Sequence, residues 1–147
     1  GNEGSNFIIN ASNSPYDWLD PQDTDRWVEN SKGPEDPCPS GYRVPTEAEW
    51  EAERNDGGEG YWGTGSAQNN ATGAYASVLK LPLAGSRYPG NGVLNATGSE
   101  GYYWSSTIPT NQDAIHQAHF LKFNASDALI SSENRSYGFS VRCIKYD

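Results

Sequence analysis

The sequence predicts an α+β fold with small antiparallel sheets, one or two short helices and much loop. Three observations predict it. Apolar residues alternate over several short runs, one segment carries a complete helix start signal, and glycine, proline and asparagine separate the runs at short intervals. The 147 residues fit one domain, read as 1–147 with 1–14 as a peripheral strand segment. With 5 Trp, 9 Tyr, 4 Phe and no Met, the core must rest on rings. Such aromatic content argues against a disordered chain.

The elements follow in order. Phe7-Ile8-Ile9 is read as a short strand with loose ends. Residues 15–37, rich in Pro and Asp, read as a turn-rich lid pinned by Trp18 and Trp27. Its acids at 17, 20, 23 and 25 alternate as in a calcium loop, but the glycine and terminal glutamate of an EF-hand are missing. No cofactor is expected, and a structural calcium here stays open. Gly41 to Pro45 reads as a short strand. Thr46-Glu47-Ala48-Glu49 then forms a capping box, so a helix should run from Glu47 to about Arg54 and stop at Asn55-Asp56-Gly57-Gly58. The glutamates at 47, 49, 51 and 53 are explained by capping and a solvated face, not by acid catalysis.

Residues 56–75 read as a glycine-rich loop carrying Tyr61 and Trp62, without a phosphate-loop or dinucleotide pattern. Val78 to Leu83 reads as a strand with Leu79, Leu81 and Leu83 on one side. Val93-Leu94 and Tyr102 to Thr107 are strands around a turn at 98–101. Ala118 to Phe123 follows, with Leu121 and Phe123 inward. Tyr137 to Ile144 is the last strand, with Phe139, Val141 and Cys143 on one face. Trp104 is chosen as a core ring, with Tyr102 or Tyr103 bordering a ligand surface. Arg43 and Arg142 are expected to satisfy loop carbonyls or a buried acid.

Charge and cysteine content narrow the function. The net charge is −9, with only 10 Lys and Arg, which excludes a phosphate-tracking nucleic-acid site and disfavours anionic membranes. No apolar run approaches a bilayer span. The start at Gly1, with neither leader nor initiator Met, reads as an excised domain or a mature chain. Cys38 and Cys143 form either a disulfide or two buried free thiols. The disulfide is preferred, since closing a loop of about 100 residues contributes about 4 to 5 kcal/mol. It would imply an oxidising compartment. His116 and His119 have helical metal spacing but no helical surroundings, so no metal site is assigned. Asn10, Asn70, Asn95, Asn124 and Asn134 begin glycosylation sequons that matter only in a secreting host. Ser105 and Ser106 lack a nucleophile context, and the chain is read as not an enzyme.

Several blocks together carry a resemblance. Pro37-Cys38-Pro39-Ser40-Gly41-Tyr42-Arg43-Val44-Pro45-Thr46-Glu47-Ala48-Glu49-Trp50 resembles the opening of the Fibrobacter succinogenes major paralogous domain. Leu81-Pro82-Leu83-Ala84-Gly85, Gly101-Tyr102-Tyr103-Trp104-Ser105-Ser106-Thr107 and Gly138-Phe139-Ser140-Val141-Arg142-Cys143 resemble its later blocks, over roughly 36–145. The resemblance implies a C-type lectin-like fold of the formylglycine-generating-enzyme type, with the chain ends meeting in a small sheet and an irregular region displaying a ligand surface. Calcium-dependent sugar binding is not expected, because the Glu-Pro-Asn, Gln-Pro-Asp and Trp-Asn-Asp signatures are absent. Oxidase chemistry is not expected either, since both cysteines sit in structural positions.

The C-terminal blocks are also similar to those of variable proteins of diversity-generating retroelements, which are displayed on viruses and cells. There, constant blocks frame a segment of replaceable exposed residues. The resemblance implies a ligand-binding surface within 108–137, carried by Thr110, Asn111, Gln112, Asp113, His116, Gln117, His119, Lys122, Asn124, Asp127, Ser132, Glu133, Asn134 and Ser136. It implies a non-enzymatic display domain at an extracellular, cell or virion surface, recognising a protein or glycan. Two alternatives are a carbohydrate-binding accessory module, with Trp18, Tyr61 and Trp62 as a stacking platform, and a structural domain of a larger surface protein.

Overall fold

A computed structural model describes residues 17, 21–55, 61–62, 68–110 and 116–145. Its described elements are β1 (Tyr42–Arg43), α1 (Glu47–Asn55), α2 (Ala71–Ala76), β2 (Ser86–Arg87), β3 (Leu94–Asn95), β4 (Gly101–Trp104), β5 (Gln117–Phe123), β6 (Ala128–Asn134) and β7 (Ile144–Lys145). All strand pairs are antiparallel: β1 with β7, β2 with β3, and β4–β5–β6 in one three-stranded sheet. This is an α+β arrangement of small sheets and two helices. The strand expected at 7–9 lies outside the described residues.

The capping box forms as the sequence requires. The Glu49 amide donates to Thr46 Oγ1 at 3.3 Å, and the Thr46 amide donates to Glu49 Oε2 at 2.8 Å. Glu49 also receives both Arg43 guanidinium nitrogens, at 2.7 and 2.6 Å, so one carboxylate joins the helix start to β1. Arg43 is buried and donates to the Val44 carbonyl as well, the structural role expected of it. These bonds hold the Glu49 carboxyl below the usual carboxylate range, the Arg43 hydrogen bond being the largest cause.

Apolar side chains cover both faces of the three-stranded sheet. On one face Tyr103, Leu121 and Phe123 pack with Trp50 of α1, Trp62, Ala74 of α2 and Leu81. Trp50 meets the Tyr103 ring edge-on at 6.1 Å, and its indole N–H donates to the Trp104 carbonyl at 3.2 Å. On the other face Trp104, Ala118 and Phe120 pack with Phe139, Val141, Tyr102, Tyr137 and Trp27. Gly101 is required here, because a Cβ would lie 2.3 Å from the Phe123 ring. Cys38 and Cys143 form a disulfide, adjacent to the β1–β7 pair.

Three local expectations are corrected. The glycine-rich stretch contains α2, capped by Asn70 Oδ1, which accepts from the Thr72 and Gly73 amides. Gly73 lets the helix approach the Trp62 indole, where a Cβ would come within 2.4 Å. Val78–Leu83 is not a strand. Lys80 has a φ of 51° and Pro82 lacks an N–H, so the chain turns instead of laddering. Leu81 is nevertheless buried, with Leu79 and Leu83 packed against the same cluster. The segment Tyr137–Ile144 is likewise no continuous strand. It touches its neighbours through isolated bridges at Gly138 and Ser140, and regular pairing begins only at Ile144. Phe139 and Val141 still face the same cluster.

Two outcomes follow. Replacing Cys38 and Cys143 together with alanine should lower the urea-unfolding free energy by up to about 4.7 kcal/mol, the loop-closure value for this separation. Glu49 has a depressed folded-state pKa, so its contribution is present above the ordinary glutamate pKa of about 4.3 and lost as pH falls below it. Glu49→Gln should therefore flatten the acid limb of a melting-temperature profile, while also lowering stability near neutrality.

Candidate functional site

The β5–β6 hairpin decides where the framed residues go. Facing residues of an antiparallel pair share a face of the sheet. Gln117↔Asn134, His119↔Ser132, Leu121↔Ile130 and Phe123↔Ala128 therefore lie on the α1 face, and Ala118↔Glu133, Phe120↔Ser131 and Lys122↔Leu129 on the other. The expected ligand residues are thus divided between two faces.

On the α1 face, His119 Nε2 lies 3.7 Å from Glu47 Oε2 at the helix start. Its Nδ1 is buried and without a hydrogen-bond partner, as are Asn134 Oδ1 and Ser136 Oγ. Ser136 is 1% exposed, so its hydroxyl is not displayed, which corrects its place among the surface residues. Gln117 and Ser132 are half-buried, and so is His116, whose carbonyl accepts from the Arg135 amide at 3.0 Å. On the opposite face, Lys122 Nζ is 3.1 Å from Glu100 Oε1 and 5.6 Å above the Tyr102 ring. Tyr102 donates to Glu100, and burial first and this bond second raise its hydroxyl pKa. Glu133 accepts from the Asn134 amide.

At the far hairpin end, Asn124 Oδ1 accepts from the Ser126 and Asp127 amides at 2.7 and 3.1 Å, which makes Asn124 the organiser of the turn. Asp127 is exposed there. A seven-residue strand puts this end roughly 20 Å from Gln117. Thr110 is exposed, and Asn111, Gln112 and Asp113 lie outside the described residues.

The structure shows a concave feature that the nominated residues do not line. A groove of about 500 Å³ lies between the segment 21–37 and the face of the sheet bearing Trp104. Its floor is apolar: Trp104, Phe139, Val141, Ala118 and Ile108, flanked by Tyr137 and Trp27. The rings brace each other, with Trp104 and Phe139 centroids 4.3 Å apart and Tyr137 and Phe139 5.6 Å apart. Its rim is charged. Arg26 is shared by Asp23 Oδ2 at 2.9 Å and Glu35 Oε1 at 3.1 Å. Arg135 donates to Asp17 and to the Asp23 carbonyl, tying the hairpin to the segment above. Trp27 Nε1 donates to the Glu35 carbonyl at 3.1 Å, which fixes the indole. The Asp25 amide and then Arg26 lower the Asp23 carboxyl pKa. This size, apolar floor and sparse polar rim suit ligand binding.

Ser105 Oγ donates to the His119 carbonyl at 2.9 Å, and Ser106 Oγ to the Pro45 carbonyl at 3.3 Å, so both hydroxyls serve the backbone. Among the described residues no group of three His, Cys, Asp or Glu side chains is placed to hold a metal. Of the described carboxylates of the calcium-like spacing, Asp17 meets Arg135 and Asp23 meets Arg26, while Asp25 accepts from the Thr24 hydroxyl. Trp62 is 1% exposed and packs on Phe123, which removes it from any stacking platform; Trp18 lies outside the described residues.

Sequence reasoning placed Trp27 in a lid and Trp104 in the core but did not join them. The missed residues are Arg26, Glu35, Arg135 and the exposed parts of Tyr137 and Phe139. Their signal was the acid-and-indole composition of 15–37, which needs a counterpart 100 positions later that no local pattern reveals. A family model described as the Fibrobacter succinogenes major domain matches residues 12–145. No curated protein and no solved structure gives a match.

Two substitutions separate display from structure. Asn124→Ala should cost about 1 kcal/mol or more by removing both turn bonds. Ser136→Ala should leave stability unchanged or raise it, because the lost hydroxyl has no partner to lose. Thermal melts of the two variants check both outcomes.

Proposed function

Because the chain belongs to the Fibrobacter succinogenes major domain family, we propose that it is a non-enzymatic ligand-binding domain that displays a recognition surface on a C-type lectin-like scaffold. The scaffold reading is supported by the β1–β7 pair, which brings segments near the two ends of the described chain together, and by the long irregular connections between the small sheets. The single observation that carries the binding reading is the groove: an aromatic floor left partly open beneath a charged rim, with each rim arginine held by carboxylates. Fixed rings lose little entropy on binding and offer large apolar area.

The framed segment 108–137 enters this reading in two ways. Ile108, Ala118, Arg135 and Tyr137 build the groove wall. Thr110 and His116 stand two positions from the lining residues Ile108 and Ala118, where replaceable side chains would alter contacts without disturbing the floor. The ligand class is a protein or glycan on a cell surface. The disulfide supports an oxidising, extracellular destination, on a cell or a virion. No helix among the described residues is long and apolar enough to cross a membrane.

Screening the domain against cell-surface proteins and glycan arrays should recover a partner. Trp27→Ala should then weaken that partner about tenfold, as expected for an aromatic anchor. Asp127→Ala, at the far end of the hairpin, should leave it unchanged. A partner indifferent to both Trp27→Ala and Tyr137→Ala would remove the groove from the binding surface.

A further inference from the structure

The groove rim is short of positive charge. Three carboxylates, Asp17, Asp23 and Glu35, line it against two guanidiniums. Arg26 ion-pairs with both Asp23 and Glu35, while Arg135 pairs with Asp17 and reaches Asp23 through its field and its bond to the Asp23 carbonyl. The Glu35 side chain is 56% exposed, leaving its carboxylate open to an incoming group. The chain as a whole carries −9, a field that draws cations toward any cleft.

The floor selects further. The indole of Trp27 is fixed by its own N–H bond to Glu35, so its ring face stays presented. Aromatic faces attract cations and also pack apolar stems. A neutral sugar would need side-chain donors and acceptors at its hydroxyls. The neutral hydroxyls are engaged, Ser105 and Ser106 with backbone carbonyls and Thr24 with Asp25, so a sugar would have to compete for the Asp23, Glu35, Arg26 and Arg135 groups already paired with one another or with Asp17. An acidic ligand would meet Asp23 and Glu35.

Building on the groove as the binding surface, we propose that it receives a basic side chain with an apolar stem, a lysine or arginine of a partner protein. The stem lies against Trp27 and Trp104, and the cation sits at the Asp23–Glu35 rim. Both carboxylates then share a second ion-pairing cation beside Arg26.

The test uses the full chain, labelled with ¹⁵N, and three probes: an acetylated, amidated hexapeptide Lys-Leu-Gly-Lys-Leu-Gly, its counterpart with Glu at both Lys positions, and maltoheptaose. The lysine peptide should shift the Trp27 indole N–H signal. Its affinity should fall about threefold in Glu35→Gln, the size of a partly exposed charge contact. It should fall further as salt rises from about 50 to about 500 mM. Glu35→Gln keeps the backbone carbonyl that holds Trp27, so the groove stays formed. Equal binding of the glutamate peptide, an unaltered affinity in Glu35→Gln, or no response to the lysine peptide would each overturn the proposal. A response to maltoheptaose alone would also overturn it while leaving the groove as the binding surface. A screened partner that ignores Trp27→Ala and Tyr137→Ala would bring down the groove reading itself.

Discussion

The structure depends on one strand being apolar on both faces. In β5, Leu121 and Phe123 close the core beneath α1, while Ala118 and Phe120 form part of the second, aromatic cluster. A strand with a single buried side would leave Trp104 and Phe139 without the Phe120 ring that both pack on. Doubly covered antiparallel strands are less common than half-solvated ones, and here the second cover is incomplete. The segment 21–37 lies over that face without filling it, and the unfilled space is the groove. The groove is thus a by-product of how the sheet is clad.

The same constraint explains what the sequence reveals and what it hides. The capping box at Thr46 is local, because donor, acceptor and helix dipole lie within four residues, and the helix forms where it is expected. The inward positions Leu121 and Phe123 follow from alternation alone. Alternation is less informative where backbone geometry overrides it. Leu79, Leu81 and Leu83 pack as predicted, yet Lys80 at positive φ and Pro82 prevent a ladder. Helix α2, with Gly73 at its centre, has weak propensity and is stabilised by its packing against Trp62. β6 escaped notice because Ser131, Ser132, Glu133 and Asn134 do not read as a strand, and only pairing with β5 makes them one. The groove was invisible for a different reason: its two walls lie far apart in the chain, and the Arg135–Asp17 link between them has no sequence signature.

The division of labour within 108–137 is consequently finer than a frame and a displayed filling. Asn124 builds a turn, Ser136 is internal, and Lys122 answers Glu100 beside Tyr102. Three residues that look interchangeable by composition therefore have fixed structural surroundings. Arg135 sits among polar neighbours and is the residue that joins hairpin to overlying segment.

The link between Cys38 and Cys143 has a topological consequence. It turns most of the polypeptide into a closed ring, from which the segment bearing Trp27 emerges on one side. A protease that nicks the ring once produces two chains that remain a single covalent molecule, migrating apart only after reduction. The cleft walls on either side of the nick would stay tethered at the cystine. Such a domain could therefore tolerate limited cleavage of its exposed loops in a protease-rich environment without shedding either wall.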